Sequence, residues 1–314
     1  MNSKHSSYYL NKMKNGRGIY PFSFLSFTCH FNKKERKLIK FPFITLVILF
    51  FFVQSNYGAI KTWNGGTGAG KSWITAANWS PSGVPVAGDD IVFNLGGTIT
   101  FSTLPTASIA YNSLTIHQGT VTLAGTTRTF TIGNNTGTDL TIASGASLIA
   151  TNVNITLATN ATATIAGTFT NPTGMSYTTS NNGTVTTVTG SFINTGTITG
   201  ATTAKLLFQS GSTYQHAVNG GTIPTATWNG NSTCLVTGTT NTVPGGLTQT
   251  FGNFTGSWTG QTGARSLAGA LTTINGNLKL LSTNNQELRL IDTGTATTTI
   301  GGDLEITGGI LDIH

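Results

Sequence analysis

The chain has 314 residues, a net charge of +7 and only two cysteines. The length suffices for one or two domains. Residues 1–60 contain nine Lys and Arg residues and one acid, whereas residues 62–314 contain six bases and eight acids. The main part of the chain is therefore nearly neutral, which excludes a charge-based nucleic-acid surface there, and two cysteines exclude a disulfide scaffold.

Residues 1–59 are predicted to be a basic leader with a signal peptide. Their apolar run at 41–53 has 13 residues, too few for a membrane-spanning helix of ~20 residues. It follows a basic cluster at Lys33–Lys40 and precedes small and polar residues, which is the order of a secretory signal peptide. We expect cleavage after Ser55 or a few residues later, and hence a secreted or cell-surface protein. An uncleaved anchor is the alternative.

Cys29 lies in this leader, so Cys234 would be the one cysteine of the exported chain. An intramolecular disulfide is then impossible, and Cys234 is expected to be a free, buried thiol.

Residues 60–97 are predicted to form an N-terminal cap module. The segment contains three of the five tryptophans, and glycines and prolines divide it into turns. The first layer of a stacked repeat exposes an unpaired strand edge, which large aromatic side chains can cover. The residues assigned to this cap are Trp63, Trp73, Trp79, Pro85 and Asp89.

The cap also contains a literal match to a phosphate-binding loop, from Gly65 through Gly70, Lys71 and Ser72. That mechanism needs a buried strand before the loop and a helix after it. Here Pro81 and Gly83 interrupt the following segment early. We therefore interpret the match as a glycine-rich turn and predict no bound nucleotide.

Residues 98–314 are predicted to be β-solenoid repeats. Short blocks of polar, apolar, polar and apolar residues recur in this region, and their period of two is that of a half-buried strand. The separation between the blocks that begin at Ser113 and Asp139 equals the separation between those that begin at Asn277 and Asp303. A recurring separation of this size indicates stacked coils, and outward Thr residues could then form hydroxyl ladders between layers.

The fold class predicted is therefore all-β, a parallel β-helix of about 8–11 coils with a Trp-rich N-terminal cap. Residues 205–260 are interpreted as a variant set of coils, with Pro224 and Pro244 at turns or bulges. The pattern breaks off near His314 within a coil, so we expect the chain to be the N-terminal part of a longer protein. The side chains predicted to lie inside are Leu114, Ile116, Leu140, Ile142, Leu278, Leu280, Leu304 and Ile306.

Several segments of the chain resemble repeat-rich bacterial surface proteins. Trp63–Gly66, Asn78–Ser80 and Gly88–Phe93 resemble the opening module of autotransporter passengers and adhesin-like proteins. Tyr214–His216 and the blocks from Gly221 to Phe254 resemble a segment common in proteins of gliding bacteria that use type IX secretion. The resemblance implies a parallel β-helix exported to the cell surface, and it implies no particular activity.

The acidic residues suggest turns more than catalysis. Asp89 and Asp90 are neighbours on a strand, so they point to opposite faces and cannot share one site. Asp139 and Asp303 occupy the block position that Asn154 and Asn277 occupy elsewhere. Exchange of Asp with Asn suits a carboxylate or amide that accepts turn amides. A glycosidase would need two carboxylates held ~5–10 Å apart.

His117 and His216 lack Cys or carboxylate companions at ligand spacing. They are interpreted as ordinary coil residues, so no catalytic residue, metal or cofactor is predicted.

The function predicted is a secreted or cell-surface structural, adhesin-like solenoid, which is not an enzyme. Its Thr/Asn-rich face would make weak repeated contacts with surface polysaccharide or neighbouring cells. It would meet the membrane only through the signal segment during export. Tyr214, Trp228 and Trp258 are candidates for stacking on sugars, with burial as the alternative. The competing hypothesis is a carbohydrate-active β-helix, a polysaccharide lyase or glycoside hydrolase, or its non-catalytic portion.

Overall fold

The computed structural model describes residues 58–133, 136–292 and 295–313. The predicted signal peptide and Cys29 lie outside the described residues. Within the described residues there are β-strands and one short 3₁₀ helix, Ala76–Asn78. In this part of the chain no helix has the length and apolar character needed to cross a membrane.

The N-terminal strands are β1 (Ile60–Trp63), β2 (Gly68–Ser72), β3 (Trp79–Ser80), β4 (Asp90–Thr103), β5 (Ile109–Tyr111), β6 (Ser113–Leu123), β7 (Arg128–Ile132), β8 (Leu140–Ile142), β9 (Ser147–Ile149), β10 (Val153–Leu157), β11 (Thr162–Ile165), β12 (Thr168–Asn171), β13 (Ser176–Thr178), β14 (Val185–Val188), β15 (Ser191–Asn194) and β16 (Thr197–Thr199). They are followed by β17 (Leu206–Phe208), β18 (Thr213–His216), β19 (Thr227–Trp228), β20 (Thr233–Val236), β21 (Thr250–Phe251), β22 (Asn253–Ser257), β23 (Arg265–Ser266), β24 (Thr273–Ile274), β25 (Leu278–Ser282), β26 (Glu287–Arg289), β27 (Thr299–Ile300), β28 (Leu304–Ile306) and β29 (Ile310–Asp312).

The strands stack as a parallel β-solenoid of about 10 turns, which confirms the predicted fold class. Most coils contribute one strand to each of three faces. Face A consists of β1, the first halves of β4 and β6, then β8, β11, β14, β17 and β19, with β21, β24 and β27 at the same place in the later coils. Face B consists of β2, the second halves of β4 and β6, then β9, β12, β15, β18, β20, β22, β25 and β28. Face C consists of β5, β7, β10, β13 and β16, with β23, β26 and β29 in the later coils.

The register of the coils follows the repeated sequence blocks. Leu114 pairs with Leu140, and Leu278 pairs with Leu304, so the two pairs of equally separated blocks lie in adjacent layers as predicted. Between these pairs some coils are shorter, such as the one that separates the paired residues Thr186 and Leu206. The strands thus keep their register, and the coils differ in the length of the turns between strands.

The core is built from inward side chains that stack in rows, because alternate residues of a strand point to opposite sides. On face B one such row is Ile99, Val121, Leu148, Phe169, Phe192, Tyr214, Cys234, Phe254, Leu278 and Leu304. Burial of each large apolar side chain contributes ~1.5–3 kcal/mol.

Six of the eight side chains predicted to lie inside are buried. The prediction is wrong for Leu304 and Ile306, whose exposed fractions are 47% and 48%. Both have the predicted register, because they pair with Leu278 and Leu280. They are exposed because β28 belongs to the last layer of the described residues, where no further layer covers the interior.

The N-terminal end is closed by the predicted tryptophan cluster. Trp63 and Trp79 pack edge to face with ring centroids 5.2 Å apart, and Trp73 lies 4.9 Å from Trp79. The Nε1 atom of Trp79 donates a hydrogen bond of 2.7 Å to the carbonyl of Trp73. Trp73 also reaches Phe130, 5.3 Å away on face C. The cluster is therefore continuous with the core and does not simply lie on top of it.

Backbone pairing at this end is also irregular. β3 runs antiparallel to β1, whereas the other strand pairs of the described residues are parallel. β4 crosses residue 97, the expected boundary between cap and repeats, so the two regions share a strand.

Candidate functional site

Face B carries an unbroken row of outward hydroxyl groups, which we call the hydroxyl row. Its members are hydrogen-bonded strand neighbours in seven successive layers. They are Thr98, Thr120, Ser147, Thr168, Ser191, Thr213 and Thr233. At the layer spacing of ~4.8 Å, the row extends over ~29 Å. Asn253 continues the row in the next layer.

A second outward row runs beside the first, two residues further along each strand, and we call it the mixed row. It consists of Thr100, Thr122, Ile149, Thr170, Ile193, Gln215 and Leu235. Two residues of a strand span ~6.6–6.8 Å, which sets the distance between the rows. All members of the mixed row are half-buried, and neither row contains a charged residue. Face B therefore offers regularly spaced hydroxyls next to aliphatic groups.

Alternation along the strands explains why the sequence folds this way locally. In β12 the residues Phe169 and Asn171 point inward, so Thr168 and Thr170 point outward. Threonine is well suited to both demands, since its β-branched side chain fits a pleated surface and its hydroxyl faces solvent. The predicted alignment of Thr side chains between layers is thus present, and face B contains its longest described example.

The three aromatic residues considered for sugar stacking are buried, so that hypothesis is wrong. Tyr214 lies in the inward row between Phe192 and Cys234. Trp228 is 6% exposed and stacks on Phe208, with ring centroids 4.5 Å apart and an interplanar angle of 14°.

Trp258 is also fully buried, directly after β22. Its backbone amide donates to the carbonyl of Ser282 in the next coil. These aromatic residues therefore stabilise the stack and are not available to a ligand.

The interior of face B contains a polar network that the sequence patterns did not reveal. Asn171, Asn194 and His216 occupy one inward row. The Nδ2 atom of Asn171 donates to Oδ1 of Asn194 at 2.8 Å, and Nδ2 of Asn194 lies 3.3 Å from the Tyr214 hydroxyl. That hydroxyl lies 3.2 Å from Nδ1 of His216, whose Nε2 lies 2.7 Å from the carbonyl of Gly220.

The buried network stabilises the fold and does not form a catalytic site. Burial lowers the pKa of His216, against the opposing effect of its hydrogen bond to Gly220, and burial raises the pKa of Tyr214. Both changes favour the neutral forms, which are the forms that the protein interior tolerates. The alternation in Thr213–His216, with Tyr and His two residues apart, could have indicated that both side chains share a face.

The acid at the cap holds backbone amides, as the turn interpretation predicts. Asp89 is buried, and its Oδ1 and Oδ2 atoms accept hydrogen bonds of 2.8 Å from the amides of Ala59 and Val86. Its neighbour Asp90 accepts a bond of 2.6 Å from the Ser113 hydroxyl. The two carboxylates thus have separate partners. Pro85, also assigned to the cap, is buried.

The block position shared by Asp and Asn forms cross-layer bonds. Asp139 accepts from the amide of Thr162 at 2.8 Å, one coil later. Asn277 accepts from the amide of Asp303 at 2.9 Å. Asn154 does the same for Ser176 at 2.9 Å. These side chains accept backbone amides, as predicted, and the amides belong to the next coil, so the bonds link neighbouring layers.

The phosphate-loop pattern does not form a loop. Gly68–Ser72 is strand β2, which pairs with β4, and the following 3₁₀ helix has only three residues. The geometry needed to hold a nucleotide phosphate at a helix N-terminus is therefore missing at this segment.

Acidic groups gather at one place on the outer side of face C. Arg289 contacts Glu287 with Nε to Oε1 at 2.5 Å, Asp292 with Nη1 to Oδ1 at 3.2 Å, and Asp312 with Nε to Oδ2 at 3.8 Å. The hydrogen bonds that Arg289 donates to Glu287, and then to Asp292, raise the pKa of Arg289. We call this group the arginine cluster.

The described histidines and Cys234 do not lie together in one site. His117 is exposed, whereas His216 lies inside. Cys234 is a free buried thiol, as predicted. Among the described residues no three His, Cys, Asp or Glu side chains are placed to hold a metal ion. A cavity of about 10 Å³ lies among the inward leucines of the last coils, too small for an organic ligand.

No protein-family model, curated protein or solved structure matches the chain.

Proposed function

We propose that the protein is a secreted or cell-surface, adhesin-like rod that binds neutral polysaccharide along face B without catalysing a reaction. The observation that carries this proposal is the hydroxyl row, which presents seven aligned Ser and Thr residues beside the mixed row. Export is supported by the basic, apolar and small-residue order of positions 33–59. The resemblance to repeat-rich surface proteins supports the same role.

The chemistry of face B suits an uncharged sugar chain. Sugar hydroxyls both donate and accept, as do Ser and Thr hydroxyls. The methyl groups of Thr and the side chains of Ile149, Ile193 and Leu235 can pack against the apolar faces of sugar rings. A single hydrogen bond contributes only ~0.5–1.5 kcal/mol. Useful affinity would therefore come from several contacts made at once along the rod, as in multivalent binding.

The proposal is tested by replacing three alternate hydroxyls of the row with isosteric valine, as T120V, T168V and T213V together. The triple variant should lose ~1.5–4.5 kcal/mol of binding free energy, or about tenfold or more in affinity. Binding is measured by co-sedimentation with insoluble polysaccharides and by immobilised soluble ones. Since neither the hydroxyl row nor the mixed row contains a charged residue, added salt should change the affinity little.

A matched control lies on face A, where Thr115, Thr141 and Thr164 form an outward row of their own. The triple variant T115V, T141V and T164V should bind as the unchanged protein does. Equal loss in both triple variants, or loss in neither despite measurable binding, would reject face B as the binding surface. Failure to bind any neutral polysaccharide of the panel would reject the proposed function itself.

The arginine cluster is the observation that favours the second candidate, a carbohydrate-active β-helix. It brings Glu287, Asp292 and Asp312 around one guanidinium on the outside of the stack. In an enzyme, one carboxylate of such a group would act as general acid or base. Reproducible cleavage of a polysaccharide that E287Q abolishes would establish this candidate and displace the adhesive role.

A further inference from the structure

Face C carries its own regular array of outward polar side chains, which we call the threonine grid. It lies on β7, β10, β13 and β16, which are neighbours in one sheet. Each strand contributes two outward residues, and these are aligned with those of the next layer. The pairs are Thr129 and Thr131, Asn154 and Thr156, Ser176 and Thr178, and Thr197 and Thr199. All eight side chains are half-buried or exposed.

The threonine grid repeats in two directions. Successive layers are ~4.8 Å apart, and the two outward residues of one strand are ~6.6–6.8 Å apart. Four layers therefore cover ~14 Å along the solenoid axis. One column of the grid contains Thr in every layer, so the same hydroxyl and the same methyl group recur at each step. That column is Thr131, Thr156, Thr178 and Thr199. Neither column contains a charged, aromatic or aliphatic residue.

The four hydroxyls of the all-Thr column are available to a ligand. Among the described residues they have no hydrogen-bond partner. In the other column the Ser176 hydroxyl donates to Oδ1 of Asn154 at 3.1 Å, and the Ser176 amide donates to the same atom at 2.9 Å. These bonds hold two neighbouring layers of the grid together, while the all-Thr column beside them stays open to solvent.

The other two faces lack such a pair of columns. On face B the mixed row interrupts the pattern with aliphatic residues and Gln. Face A has an all-Thr column, Thr115, Thr141, Thr164 and Thr187, but its companion column differs. There the Ser113 hydroxyl donates to Asp90 at 2.6 Å, and the Thr162 hydroxyl donates to the carbonyl of Gly137 at 3.0 Å. Asp139 and Val185 occupy the remaining places.

The core beneath the grid fixes the positions of its strands. Phe130, Ile155 and Tyr177 point inward from β7, β10 and β13 and are fully buried. The Tyr177 hydroxyl also forms a buried hydrogen bond of 2.7 Å with the Thr186 hydroxyl. Thr is branched at Cβ, which restricts its rotamers. The spacings of the grid are thus set before a ligand arrives, and this pre-organisation lowers the entropic cost of binding.

These properties suit a ligand whose surface is itself a lattice of water molecules. Protein partners are held mainly by Trp, Tyr and Arg side chains, and the grid has none of them. A single polysaccharide chain repeats in one direction only. The planes of an ice crystal present water molecules at regular intervals in two directions, as donors and as acceptors. A Thr hydroxyl can bond to either kind, and water is ordered around its methyl group.

We infer that the threonine grid binds the surface of ice. Waters bonded to its hydroxyls would take places in the crystal lattice, and the bound protein would hinder growth of the crystal around it. Each contact is weak, and eight contacts made together by a rigid surface retain the protein. This inference concerns face C and does not depend on the polysaccharide proposal for face B.

The test measures the partition of the full chain between liquid and slowly growing ice, and the gap between the melting and freezing temperatures of a single crystal. The unchanged protein should be enriched in the ice relative to an added globular protein that has no such array, and it should open a gap. T156Y places a ring at the centre of the grid and should lose both effects. T178Y, one layer further, should do the same. Both residues point outward, so the variants should keep the circular dichroism and the urea midpoint of the parent.

The matched controls are T164Y on face A and T168Y on face B, which change outward, half-buried Thr residues in the same way. Both should retain the enrichment and the temperature gap. The inference is overturned if the unchanged protein is not enriched in ice, or if either control loses as much as T156Y. Binding to a crystalline polysaccharide, or to a second copy in sedimentation, that T156Y alone abolishes would also overturn it, because the grid would then belong to that partner.

Discussion

Replacement of Asp89 by Ala should release the first coil at the N-terminal end. In the folded chain the Asp89 carboxylate accepts the amides of Ala59 and Val86, each at 2.8 Å, and the side chain is buried. Alanine would leave both donors without this acceptor. A lost partner of a buried donor costs ~1–3 kcal/mol.

For the two lost hydrogen bonds together, the free energy of unfolding should fall by about 2–4 kcal/mol. This is the lower part of the range for two buried donors, because Ala59 and Val86 are exposed and water can replace part of each bond. Coils of a solenoid depend mainly on their neighbours. We therefore expect the loss to appear first as local opening of β1, ahead of global unfolding.

The assay is amide hydrogen exchange resolved along residues 58–63, together with urea unfolding followed by tryptophan fluorescence. Exchange in β1 should accelerate while the strands of the middle coils stay protected. D90A is the control, because the half-buried Asp90 carboxylate accepts one hydroxyl, from Ser113, and should cost less than ~1.5 kcal/mol. If D89A leaves both the exchange and the urea midpoint unchanged, the carboxylate does not hold the cap.

Three further predictions concern the interior. G256A should raise the free energy of unfolding in urea by ~0.5–1 kcal/mol, because the new Cβ lies 3.1 Å from a Leu280 methyl that borders the small cavity and can yield; a lower midpoint would contradict this. Burial lowers the pKa of His216 in the folded state, so the unfolded chain binds more protons and stability should fall as pH drops through ~6.5. H216Q should flatten that dependence, whereas H117Q at an exposed position should not. Burial raises the pKa of the Cys234 thiol, so maleimide should modify it only as fast as the structure opens, and rapid labelling of the native protein would disprove its burial.

The sequence determines the fold through its shortest patterns. Blocks such as those at Ser113 and Asn277 alternate with period two, and the inward and outward faces follow directly. The equal separation of two pairs of blocks identified two pairs of adjacent layers correctly. A search for that one separation would have missed the shorter coil that ends near Leu206, because turns of different length can join strands in the same register.

The side of the strand on which a given aromatic residue lies was harder to predict. Tyr214 and Trp228 were candidates for stacking on sugars, with burial as the alternative, and their position in the alternation places them in the core. Leu304 shows the opposite error, since its position in the alternation was correct and it is exposed in the last layer of the described residues. Burial thus depends on neighbours distant in sequence. The hydroxyl row depends on the same alignment of seven layers, which no single block reveals.

The constancy of register across coils of unequal length has a consequence for how such a molecule can change. Thr162 and Val185 are hydrogen-bonded neighbours that begin successive face A strands, so the chain between them is one modular unit. Genetic duplication or loss of such a unit would alter the length of the solenoid in steps of ~4.8 Å. Insertions in the turns between strands would add surface loops without changing the length of the solenoid.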